Sequence, residues 1–145
     1  MQLKIKLNQP KIINKVTNDR FGLLVAKSWK TQIDDFTPRN TGLLMGIGGQ
    51  TVDELPFKIH YKENYAHYMY MGIVYVDPTT GASGFLTDEG WKSRFKIKKI
   101  KSNRKLKYQK INPNATDHWD IKAAEAGRLN NLYTTLNTAL RSGDY

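Results

Sequence analysis

The amino-acid sequence predicts an α+β domain. A small, mostly antiparallel β-sheet packs against an N-terminal and a C-terminal α-helix, and a basic β-hairpin projects from it. Three observations predict this. Apolar residues alternate at Leu3, Ile5 and Leu7 and again at Phe57, Ile59 and Tyr61, the period of strands with one buried face. From Trp119 to Leu140 they recur every three or four residues, the period of an amphipathic helix. Residues 92–110 combine a period-two pattern with ten bases and no acid.

The elements follow in order. Residues 2–8 form the first strand, and Pro10 suits a first helical turn. From about 11 to 35, Ile12, Ile13, Val16, Leu23, Leu24, Trp29 and Ile33 are spaced as on a helix. Gly22 weakens its middle by up to ~1 kcal/mol relative to Ala, so a kink is expected there. Pro38 ends the helix, because the residue before a proline avoids the helical region. Residues 43–47 read as a short strand loosened by Gly46, Gly48 and Gly49, and residues 57–62 as a second clean alternation. Residues 64–72 read as a helical turn closed by Gly72. Ile73-Val74-Tyr75-Val76 reads as strand and residues 77–84 as loop. In the basic stretch Phe95, Ile97 and Lys99 alternate with Lys96, Lys98 and Ile100. Ser102-Asn103-Arg104 is placed to turn, and residues 105–111 alternate again. After Pro113, Thr116 or Asp117 is placed to cap a last helix carrying Trp119, Ala123, Ala126, Leu129, Leu132, Tyr133, Leu136 and Leu140, and Gly143 closes it. The chain reads as one domain, 1–145, with an excursion at about 73–111.

Composition removes several functions. With no cysteine there is no disulfide, thiolate zinc site, thiol nucleophile or iron–sulfur cluster. No apolar run approaches the ~18 residues of a membrane span, and the alternating N-terminus lacks the apolar core of a signal peptide. The expectation is a chain used in a cytoplasm, or in something assembled there. The net charge is +10. Lys92, Arg94, Lys96, Lys98, Lys99, Lys101, Arg104, Lys105, Lys107 and Lys110 account for all of it, and the remaining residues balance. Such a stripe meets phosphates or an acidic protein, or it is a solvated edge whose lysines repel stray strands.

The search for catalytic patterns finds none. His60, His67 and His118 have no metal-pair spacing. Asp117-His118-Trp119-Asp120 sets carboxylates beside a histidine, but a helix start favours acids for its own exposed amides. Asp34-Asp35 and Asp88-Glu89 are acid pairs without a third ligand. Gly46-Ile47-Gly48-Gly49 lacks phosphate-loop spacing, and no nucleophile elbow exists. The expectation is a protein that is not an enzyme and needs no cofactor. Aromatics interleave with bases in Trp91-Lys92-Ser93-Arg94-Phe95-Lys96, as in single-strand binders. Trp91 and Phe95 read more readily as core side chains of the hairpin.

Three motifs carry a resemblance: Thr37-Pro38-Arg39-Asn40-Thr41-Gly42-Leu43-Leu44, then Tyr65-Ala66-His67-Tyr68-Met69-Tyr70-Met71-Gly72, then residues 114–123 around Trp119. In this order the chain resembles the minor capsid (neck, tail-completion) proteins of long-tailed bacteriophages. That family commonly reads Pro-x-x-Thr-Gly-x-Leu, then Tyr-Ala-x-Tyr-x-x-x-Gly, then an aromatic start to the final helix. The resemblance covers residues 1–72 and 112–141; residues 73–111 are longer and more basic than the family pattern. It implies a structural virion protein, a ring-forming head–tail connector between a head-completion or portal-side protein and a tail terminator or tube protein. Six subunits follow from the tail's symmetry and twelve from the portal's. It implies a place in the virion neck, assembly in the bacterial cytoplasm, and contact of the basic hairpin with a neighbour or with DNA in the channel. Thr41, Gly42, Tyr65, Ala66, Tyr68, Gly72 and Trp119 are the motif positions expected to serve as structural anchors.

Overall fold

In the computed structural model, which describes residues 1–6, 18–39, 45–46, 51–108, 111–143 and 145, Asn18 opens the first helix, α1 (Asp19–Ile33). Its backbone is extended, and its side chain accepts a hydrogen bond from the Phe21 amide at 2.8 Å. That satisfies one of the amides a helix start leaves free. The helix therefore begins at 19, not near 11; residues 7–17 lie outside the described residues. A 3₁₀ turn (Asp34–Phe36) follows, and Thr37, extended before Pro38, ends it as expected. A part-buried ion pair links this turn to α1. Lys30 Nζ donates to Asp34 at 2.6 Å and to the Met45 carbonyl at 2.6 Å. Burial pushes the Asp34 carboxyl up from its ordinary value against the pull of Lys30. Its other oxygen, Oδ1, is buried without a hydrogen-bond partner among the described residues.

Three antiparallel strands form the main sheet, in the order β1 (Gln2–Lys4), β3 (Lys58–Tyr61), β2 (Val52–Leu55). Leu3 pairs with Ile59, and both are buried with Tyr61. β2 is absent from the sequence reading because its adjacent acids, Asp53 and Glu54, break the apolar alternation. The strand expected at 43–47 falls mostly outside the described residues; Met45 and Gly46 lie in a turn. Pro56 and Phe57 make the two-residue turn between β2 and β3, so Phe57 is a turn residue, not part of the strand. Its φ of 57° is left-handed, which costs an L side chain roughly 1–2 kcal/mol. Its contacts offset that. The Phe57 amide donates to the Gly22 carbonyl, its carbonyl accepts from the Ile5 amide, both at 3.0 Å, and its ring meets Phe21 edge-on. Phe57 thus ties sheet to helix, and α1 runs through Gly22 without a break.

The last helix is two. α3 (Trp119–Glu125) stops at Ala126, and α4 (Arg128–Ser142) starts after Gly127 at φ 82°. Only a residue without Cβ takes that angle cheaply, so the apolar spacing spans a break and Ala126 is exposed. Neither Thr116 nor Asp117 is the cap. His118 occupies it, at φ 42° and without a side-chain bond. Gly143 closes α4 as expected, its amide on the Ala139 carbonyl. Phe21, Val25, Ala26 and Ile33 of α1 share one core with Ile59, Tyr61, Trp119, Ala123, Leu132 and Leu136. The α+β class follows directly: a small antiparallel sheet, with helices from both ends of the chain against it.

The excursion differs in detail from its expected form. After α2 (Ala66–Met71), β4 (Ile73–Val76) pairs antiparallel with β7 (Ile100–Lys105). A small hairpin, β5 (Phe85–Thr87) and β6 (Gly90–Lys92), lies in the connection between them. The turn expected at Ser102-Asn103-Arg104 lies within β7. There the ladder bulges. Ile73 pairs with Lys105 and Tyr75 with Lys101, so three residues of β7 stand opposite Val74 alone. The Ser102 hydroxyl fills the gap, donating to the Val74 carbonyl at 2.6 Å and accepting from the Arg104 amide at 3.2 Å. Turn-forming residues make a bulge here, within a strand that pairs with β4.

Gly22→Ala tests how α1 meets the β2–β3 turn. Helix propensity alone favours Ala by about 1 kcal/mol. A Cβ at 22 would stand 2.6 Å from Phe57 Cε2 and 3.0 Å from Pro56 Cβ, and that overpacking costs about 1–3 kcal/mol. Denaturant unfolding should show net destabilisation; a gain in stability would mean that the ring moves aside.

Candidate functional site

The second and third motifs meet at one place, and the segment just before the third bonds the turn that leads into the first. Their contacts run through the backbone. The Thr116 amide donates to the Phe36 carbonyl at 3.1 Å and the His118 amide to the Tyr70 carbonyl at 2.9 Å. The Asn112 side-chain amide donates to the carbonyls of Asp35 and Thr37. Trp119 is fully buried between two tyrosines, its ring edge-on to Tyr61 at 5.6 Å and to Tyr70 at 5.0 Å. Its indole N–H donates to the Tyr61 hydroxyl at 3.2 Å. The Tyr70 hydroxyl donates to Asp120 at 2.8 Å. Burial first, then the bond to Asp120, raises the Tyr70 phenol above its ordinary value. The Tyr108 hydroxyl donates to the Met69 carbonyl at 2.7 Å, and burial pushes its phenol up to about 12.

Gly72 sits under this knot at φ 66°, closing α2 as expected. A Cβ there would stand 2.6 Å from the Asp117 Cβ and 3.1 Å from the Tyr108 hydroxyl. The glycine is required twice, by its left-handed backbone and by the close approach. Ala66 and Trp119 are fully buried, as anchors should be. Tyr65 and Tyr68 are not: they are 40% and 39% exposed. The anchoring falls to Tyr61 and Tyr70 instead, while Tyr68 meets Tyr75 edge-on at 4.7 Å and His67 edge-on at 5.8 Å in a surface aromatic cluster. Thr41 and Gly42 lie outside the described residues.

Residues 117–120 hold no hydrogen-bonded histidine–carboxylate pair. His118 Nδ1 stands 3.6 Å from Asp117, too far for a hydrogen bond, and Asp120 accepts from Tyr70. Among the described residues no group of three or more His, Asp or Glu is placed to hold a metal ion.

The ten bases divide by their surroundings. Arg94 forks onto Asp77 and also reaches the Thr79 hydroxyl. Asp77 in turn accepts from the amides of Thr79 at 2.7 Å and Thr80 at 3.3 Å. This is the turn chemistry of an Asp-Pro sequence, and it clamps the far part of the excursion. Burial works to raise the Asp77 carboxyl, but those amides and Arg94 outweigh it and hold it below its ordinary value. Lys92 pairs with Glu89, Lys99 donates to the Ser83 carbonyl, and Arg104 donates to the Gly81 carbonyl. Lys96, itself at φ 57°, lies over the Phe95 ring. Lys98, Lys101, Lys105 and Lys107 are exposed and pair with no acid among the described residues; Lys110 lies outside them. Phe95 is 87% exposed, so it is not the core side chain its alternation implied. Ile97 and Ile100 are exposed beside it. The side chain of Trp91 lies outside what is described.

The excursion therefore presents cations and apolar groups together, held in shape by a neutralised Asp77–Arg94 clamp. Tyr70 and Asp77 are the important positions that sequence reasoning did not single out, and of these Asp77-Pro78 carried a local signal, the Asp-Pro turn; Tyr61 was expected on a buried strand face, but not as the partner of Trp119. No described helix is long and apolar enough to cross a membrane.

Two outcomes test this geometry. Gly72→Ala should lose at least about 1–2 kcal/mol from the left-handed backbone alone, more with the Asp117 overlap, as read by urea unfolding. The Asp77 clamp has a pH signature. A carboxyl lowered on folding stabilises above its ordinary value of 3.8 and loses that contribution as the pH falls through its lower folded value. Limited proteolysis at 93–99 should rise in that acid window, and Asp77→Asn should show the same opening at neutral pH.

Comparison of the chain with protein-family models, with curated proteins and with solved structures finds no match.

Proposed function

We propose that this chain is a structural virion protein of a long-tailed bacteriophage: a ring-forming head–tail connector subunit that joins the DNA-filled head to the tail, without catalysis. The carrying observation is that the second and third motifs of the resemblance, far apart in sequence, converge on one knot around Trp119, where His118 bonds Tyr70 and Gly72 abuts Asp117. The excursion suits a subunit that must reach its neighbours. It leaves the knot at Gly72, returns at Leu106, whose amide donates to the Gly72 carbonyl, and carries the unpaired lysines outward. In this reading the subunit works in the neck, against a head-completion or portal-side protein on one side and a tail terminator or tube protein on the other.

A second reading rests on those lysines alone. Lys98, Lys101, Lys105 and Lys107, free of acids among the described residues, would serve a stand-alone nucleic-acid-binding domain. Its affinity would fall steeply with salt, because phosphate contacts release counterions.

Electron microscopy of particles made with and without the chain separates the two. Filled heads and unjoined tails in its absence are expected. Joined, intact particles in its absence would reject the connector, and a salt-dependent DNA affinity of the isolated chain would then favour the second reading.

A further inference from the structure

Two edge strands of opposite charge lie on different sheets of this molecule. β2 ends the three-stranded sheet and pairs, among the described strands, with β3 alone. It reads Val52-Asp53-Glu54-Leu55, and β1, β3, β4, β5, β6 and β7 contain no Asp or Glu. β7 pairs, among the described strands, with β4 alone. It carries Lys101, Arg104 and Lys105, and all its residues but Ser102 are exposed. A lysine-rich edge turns most strands away. An acidic strand is the exception, because opposite charges across a strand pair attract. Apolar groups stand ready on both: Leu55 is 38% and Ile100 51% exposed.

We propose that the β7 edge of one copy adds to the β2 edge of a second copy, so that two sheets join across a head-to-tail interface. Main-chain hydrogen bonds supply the affinity and the charges choose the partner strand. Glu54 makes no ion pair with a described residue. Asp53 is held by Lys62 at 2.9 Å, but both side chains are about two-fifths exposed, and such a pair exchanges at little cost. Donor and acceptor are different surfaces of one chain. Each added copy therefore leaves one of each free, and growth stops only when the rotation closes a ring. A second copy is favoured over nucleic acid because phosphates make no use of a ladder edge that no described strand occupies, or of Ile100. The inference deepens the ring-forming part of the connector reading and rests on it for closure; the strand pairing is tested without it.

The chain has no cysteine, so engineered thiols report cleanly. Two full-length variants, Leu55→Cys and Ile100→Cys, both at exposed positions, are oxidised separately and as a mixture at high protein concentration and low salt. The mixture should crosslink much faster than either variant alone. Equal rates would overturn the proposal. Charge exchange gives a second arm by sedimentation velocity. In the antiparallel register that sets Leu55 opposite Ile100, Glu54 faces Lys101, so Glu54→Lys, and separately Lys101→Glu, should each weaken self-association severalfold. An equimolar mixture of the two should restore it, since every residue 101 then finds a residue 54 of opposite charge. Failure of the mixture to restore association overturns the pairing. So does a β7 charge reversal that leaves association intact but abolishes binding to duplex DNA, which would make β7 a nucleic-acid surface. The connector reading fails separately. Crosslinking with heads and tails that join without the chain keeps the pairing and rejects the neck; a joint that needs the chain, without crosslinking, does the reverse.

Discussion

The indole of Trp119 is the point through which the separate parts of this chain are held. It touches Tyr61 from the sheet and Tyr70 from α2, and it begins α3. Its only polar atom donates to the Tyr61 hydroxyl, so its burial leaves nothing unsatisfied. Loss of a buried tryptophan costs about 3–5 kcal/mol, out of a total stability of roughly 5–15 kcal/mol for a domain.

Around that point the molecule separates two tasks. The core uses apolar area and a few satisfied polar groups. The excursion uses ion pairs, an Asp-Pro turn and carbonyl contacts, and it leaves its remaining cations in water. The part-buried Lys30–Asp34 pair belongs to neither pattern. Desolvation there works against Asp34, whose Oδ1 has no described partner, so the pair positions Met45 more than it stabilises the fold. Separation of this kind lets charge on the excursion change without touching the core.

Much of the fold was legible because burial imposes a period. The alternation of Ile59 and Tyr61 marked β3, the closing glycines at 72 and 143 marked helix ends, and Pro38 marked the end of the first helical segment. What escaped detection depends on partners. β2 was hidden because its acids are tolerated at an edge. Ser102-Asn103-Arg104 has turn chemistry, yet it makes a bulge opposite β4. Gly127 breaks a helix whose apolar spacing continues on either side. For the site, the motif positions pointed to the right region, but exposure inverted some roles: Tyr65 and Tyr68 face water while Tyr70 is engaged in the knot. Phe95 follows a buried alternation and is open to solvent. Spacing reports which residues share a face, and only packing says whether anything covers it.

The contact between Gly72 and Asp117 reaches beyond one molecule. Forty-five positions apart, these residues share a single volume too small for one more carbon atom. In descendants of this sequence they are not free to drift independently. A side chain at 72 becomes admissible only after 117 has withdrawn and the backbone at 72 has left its left-handed angle, a route that needs several substitutions at once. The pair should therefore persist as a linked character long after the surface of the excursion has diverged beyond recognition.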